Sequence, residues 1–63
     1  SLDFYPGGVR CAGAAAIEVC DLSGRIVRRT GADSLGLEGL SAGVYIIRAN
    51  AADGRAATRK ISI

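Results

Sequence analysis

Residues 37–63 read LEGLSAGVYIIRANAADGRAATRKISI, and this stretch decides the fold. Gly39, Ser41 and Gly43 punctuate a turn that leads into Val44-Tyr45-Ile46-Ile47-Arg48-Ala49. Successive side chains of a strand point to opposite faces, so Val44 and Ile46 go one way and Tyr45 and Ile47 the other. Both faces are apolar, which predicts a central strand covered on both sides. Asp53-Gly54 between strand-like runs signals a hairpin. The return strand covers 56–63, with Ile61 and Ile63 inward and Thr58, Lys60 and Ser62 outward. Chain ends are loose unless a sheet ties them down. An alternation carried through to Ile63 predicts terminal residues that belong to the fold.

Upstream the period of two continues, which favours strands over helices. Phe4-Tyr5 reads as a short strand ended by Pro6-Gly7-Gly8, since proline presets its own backbone and glycine accepts unusual dihedrals. Residues 9–11 form a second short strand. The segment 12–15 is ambiguous: its alanines favour a helical turn and Gly13 weakens one. Residues 16–22 are a strand, with Ile17 and Val19 on one face and Glu18 and Cys20 on the other. Ser23-Gly24 reads as a two-residue hairpin turn, and 25–30 returns with Ile26 and Val27 as its apolar part. After a polar connection, 34–37 is a short strand in which Leu35 and Leu37 alternate. Asp21, Asp33 and Asp53 sit at turns, where the carboxylate bonds nearby backbone. Short strands with near-regular turn signals predict an all-β chain. Its expected form is a small immunoglobulin-like β-sandwich of six to seven short antiparallel strands.

The 63 residues make a single domain, 1–63. A chain this short buries only about 60% of its unfolded surface, so its stability is marginal and little surface is left for a catalytic cleft. Eight Lys+Arg against six Asp+Glu leave a net charge of +2. That charge, with three aromatic residues, makes a poor nucleic-acid surface. The longest apolar run, Cys11 to Ile17, is far short of the ~20 residues of a membrane helix, so no membrane insertion is expected. The chain starts on Ser1 with no basic leader, which suggests a piece of a larger secreted protein whose targeting signal lies elsewhere.

Histidine is absent. That excludes Ser-His-Asp and Cys-His nucleophile arrangements and the usual Cys/His zinc sites. The carboxylates form no acid–base pair at helical spacing. The glycines separate strands rather than joining a strand to a helix, as phosphate loops require. No enzyme activity, cofactor or metal is expected. Arg25, Arg28, Arg29 and Arg48 read as solvated or edge charges that discourage sheet-to-sheet pairing. Cys11 and Cys20 could close one short disulfide in an oxidising compartment, or stand as two separate, partly buried thiols.

Several motifs together carry a resemblance. Phe4-Tyr5-Pro6 opens the chain, and IEVCDLSGRIV spans residues 17–27. LEGLSAGVYIIR spans 37–48, followed by Asp53-Gly54 and the closing TRKISI of 58–63. In this order the chain resembles the type A C-terminal sorting domains of the type IX, or Por, secretion system. Two places depart from the family pattern. Tyr5-Pro6-Gly7-Gly8 stands where Tyr-Pro-Asn-Pro is usual, and Cys20 stands where a large residue is common.

The resemblance implies a signal domain that carries an N-terminal cargo domain across the outer membrane of a Gram-negative bacterium. Its implied partners are the outer-membrane translocon and a surface sortase-like protease that usually removes the domain. The implied route is the periplasm in transit, then the cell surface or the medium. Gly43, Tyr45, Arg48, Lys60, Ile61 and Ile63 match the family's signal motif, and Asp21, Gly24, Asp53 and Gly54 its turns. The alternative is an accessory immunoglobulin-like module, a spacer or carbohydrate binder of a larger extracellular protein. A disulfide-held inhibitor is a third reading, weakened by the single available bridge. Open sheet edges allow a weak homodimer by strand pairing.

Overall fold

The structure, a computed structural model, describes residues 2–63. Seven strands follow in order: β1 (Asp3–Tyr5), β2 (Gly8–Arg10), β3 (Ala14–Asp21), β4 (Ile26–Thr30), β5 (Ser34–Gly36), β6 (Val44–Ala51) and β7 (Ala56–Ser62). They make two antiparallel sheets, one ordered β1-β2-β5 and the other β4-β3-β6-β7. The all-β sandwich expected from the alternation is the fold observed. The ambiguous alanines at 14 and 15 open β3 rather than forming a helical turn.

The core lies between the sheets. Val9 and Leu35 enter it from the three-stranded sheet, and Ile17, Val19, Tyr45, Ile47 and Ala49 from the four-stranded one. Cys11 closes one end, where its N–H donates to the Asp33 carbonyl at 2.8 Å. Ile17 and Val19 share the buried face of β3, as their spacing predicts, and both are fully buried.

Several expectations need correction. β6 is central, but only its Tyr45-Ile47-Ala49 face is buried; Val44 and Ile46 are half-buried and Arg48 is exposed. The three-stranded sheet covers one side only, and among the described residues no element lies over the other. Ile61 packs against the core, but Ile63 is 43% exposed. Ile63 is nevertheless tied to the sheet by reciprocal bonds with Gly43, N–H to carbonyl at 2.8 and 2.9 Å.

Both long hairpins turn on three residues, one more than the Ser23-Gly24 pair expected for the first. Asp21 N–H bonds the Arg25 carbonyl at 3.0 Å across Leu22-Ser23-Gly24, and Ala51 N–H bonds the Arg55 carbonyl at 2.8 Å across Ala52-Asp53-Gly54. Gly24 and Gly54 hold φ of 90° and 92°. This is the arrangement in which a tight turn ends on a left-handed glycine that restores the strand twist. The first hairpin differs: Tyr5 pairs with Gly8 across Pro6-Gly7. Proline sits in the second place of that turn and Gly7, at φ 89°, in the third, as a type II turn requires. The departure from Tyr-Pro-Asn-Pro therefore leaves a regular turn.

Candidate functional site

β6, β7 and the residues that flank them hold the positions expected to form the signal motif, divided between two faces and one end. Tyr45 and Ile61 face each other in register and point into the sandwich. Tyr45 is buried, and its hydroxyl donates to the Ser41 carbonyl at 2.7 Å. A phenol that is both packed and bonded anchors the turn before β6, much as a tyrosine corner does in larger sandwiches. Gly43 pairs with Ile63 at the end of the hairpin. Arg48 and Lys60 lie on the opposite, outer face, where both are exposed.

Register sets the layout of that outer face. Lys60 lies opposite Ile46, Ile46 opposite Cys20, and Cys20 opposite Ile26, so these four form one row across all four strands. The next row is Thr58, Arg48, Glu18 and Arg29. Arg48 and Lys60 are thus diagonal neighbours, about 7–8 Å apart by sheet geometry. Glu18 pairs with Arg29 at 3.6 Å. Among the described residues, Arg48 and Lys60 have no carboxylate partner.

The turn residues hold their own loops. The Asp21 carboxylate accepts from the N–H groups of Ser23 and Arg25, each at 3.0 Å, and from the Ser23 hydroxyl. The hydroxyl bond, with these two amides and the Arg25 charge, lowers its pKa below the ordinary 3.8. Asp53 accepts from Arg55 N–H at 3.0 Å and pairs with the Arg55 guanidinium at 3.2 Å.

The two cysteines are not brought together. Both are free thiols: Cys11 is buried at the core end and Cys20 half-buried on the outer face. Cys11 is bonded to Ala14, the first residue of β3, and Cys20 is six residues further along that strand. That is about 20 Å of extended chain, whereas bridged cysteines have Cα atoms within ~7 Å.

Arg28, read as an edge charge, and Arg59 do more than repel. Arg28 lies opposite Val19, on the buried side of the edge strand β4. Its guanidinium donates to the carbonyls of Gly36 at 2.9 Å and Glu38 at 2.6 Å, clasping the chain after β5. Arg59 lies opposite Ile47 on the other edge strand, with its guanidinium 5.5 Å from the Phe4 ring centroid. Each edge of the larger sheet thus turns one arginine toward the smaller sheet.

Comparison with known proteins bears directly on this hairpin. A family model described as "Secretion system C-terminal sorting domain" matches residues 8–63, everything from β2 onward. The chain belongs to that family, whose members sort cargo proteins through the type IX secretion system to the cell surface or the medium. It is a sorting-signal family, not an enzyme class. No curated protein and no solved structure matches the chain significantly.

Proposed function

We propose that this chain, as a member of the secretion-system sorting domains, carries an upstream cargo from the periplasm through the outer-membrane translocon. At the surface a sortase-like protease then removes it. The observation that carries this reading is the family match across residues 8–63, which takes in both the β6–β7 hairpin and the two turns. On this reading the motif residues divide the labour. Gly43, Tyr45, Ile61 and Ile63 build and close it, and Arg48 and Lys60 are left for a receptor.

The test is a carrier protein fused upstream of Ser1 in a bacterium that has the type IX machinery. Surface carrier is measured by protease access to whole cells. The intact fusion is expected at the surface, and a fusion truncated before Thr58 is expected to stay in the periplasm. Normal export of the truncation, or retention of the intact fusion, overturns the proposal.

A further inference from the structure

The outer face of the four-stranded sheet holds apolar groups that the fold does not need. Ile26 is 48% exposed and Leu22 67% exposed, and both border this face beside half-buried Cys20 and Ile46. A hollow of about 280 Å³ lies among Cys20, Asp21, Leu22, Gly24, Ile46 and Arg48. Leu22, Ile26 and Cys20 are no part of the β6–β7 signal motif; register alone puts them beside it.

Charge says what the face can receive. Its carboxylates are engaged, Glu18 by Arg29 and Asp21 by its own turn and Arg25. Arg48 and Lys60 remain as two neighbouring cations beside an apolar hollow. Interfaces gain most from an apolar anchor seated in a pocket and ringed by contacts that exclude water. Complementary charge at the rim sets register and speeds encounter.

We propose that this face docks a protein partner that places an aliphatic or aromatic side chain in the hollow and carboxylates against Arg48 and Lys60. The inference rests on the sorting-domain reading and names the surface chemistry of the receptor. A second copy of the chain would set the same two cations against its own. A lipid surface fits less well, since anionic membranes are read by clusters of about four to eight cations.

The experiment uses the carrier fusion with two variants, the double reversal R48E/K60E and, separately, L22D. All three positions are exposed, so both variants are expected to fold, which a thermal melt checks. A control, R10E/R55E, shifts the net charge by the same amount at exposed positions off this face. The expected result is a drop of about tenfold in surface carrier for R48E/K60E and for L22D, with unchanged melting, and normal export of the control. Normal export of both folded variants overturns the docking face while leaving the sorting function standing. Retention of the intact fusion overturns both. Two further measurements decide the occupant. Binding to phosphatidylglycerol vesicles that R48E/K60E abolishes would overturn the protein partner in favour of lipid. Concentration-dependent dimerisation that L22D abolishes would overturn it in favour of a second copy.

Discussion

Gly24 and Gly8 show two different reasons for glycine. Gly24 sits at φ 90° with nothing within 4 Å of the place a Cβ would occupy, so only its backbone resists substitution. Gly24→Ala is expected to cost about 1–2 kcal/mol, the strain of a left-handed L-residue, and Gly24→Asn less, as measured by chemical denaturation. A Cβ at Gly8 would overlap the Tyr5 ring and lie 2.8 Å from the Leu35 carbonyl oxygen. Gly8→Ala is expected to cost roughly 1–3 kcal/mol as overpacking. Adding Tyr5→Ala should recover part of that loss and no more, because the backbone contact stays. The role of Gly24 is legible in the sequence, since Ser-Gly between strands is local turn chemistry. That of Gly8 is not, because the close approach comes from the neighbouring strand and the Tyr5 ring.

Tyr45 is a matched case: its place in the motif is readable, while its bond to Ser41 depends on the path of the turn. Tyr45→Phe should cost about 1 kcal/mol, the net worth of one hydrogen bond, in the same assay. Asp21 adds a pH dependence. Its carboxyl is held below the ordinary 3.8 by the Ser23 hydroxyl and the turn amides. A depressed folded value means that this stabilisation is complete above 3.8 and disappears as pH falls through the folded value. Melting temperature in the wild type should therefore fall more steeply on acidification below 3.8 than in Asp21→Asn. Parallel curves would assign the acid loss to other groups.

Strands were legible to within a residue or two because period-two alternation is a local property. What failed was loop length and facing. Leu22 belongs to the first long turn, yet it extends the apolar run before it, so that turn reads one residue too short. Facing in β4 depends on a register shift: Val19 pairs with Arg28 and Cys20 with Ile26, which leaves Val27 without a partner. Adjacent Arg28 and Arg29 do face opposite ways, as alternation requires. Pairing with β3 decides which of them turns inward, and the sequence of β4 alone does not contain that. The consequence is a clasp that ties the end of β5 and the chain after it to the larger sheet, added to the packing of Leu35, Leu37 and Leu40 against the core. Arg28→Ala removes a charged donor from two carbonyls and is expected to cost about 1–3 kcal/mol. Local opening should appear first as faster amide exchange in β5 and the chain that follows it. Exchange that stays unchanged there would show that the clasp holds nothing.

At the scale of the whole molecule, the core was readable as a list and not as a place. Ile17, Val19, Leu35, Tyr45 and Ile47 announce themselves by alternation, whereas the bare outer side of β6 does not. Val44 and Ile46 look like core residues, and only the assembly of the second sheet on one side shows that they are not. This one-sidedness makes β7 structurally indispensable. Its inward residues Ala57 and Ile61 are half-buried, and it pairs along β6 from Val44 to Asn50. Without it β6 becomes an edge, Tyr45, Ile47 and Ala49 lose their flank, and Ile63 no longer holds Gly43. A domain this small has little stability to spare. The chain truncated before Thr58 should therefore show no cooperative thermal transition, whereas R48E/K60E should melt as the intact chain does. The two variants would then fail to export for different reasons, one for want of a fold and the other for want of a surface. A cooperative melt in the truncated chain would mean that the sandwich closes without its last strand, and its retention in the periplasm would then reflect lost contacts alone.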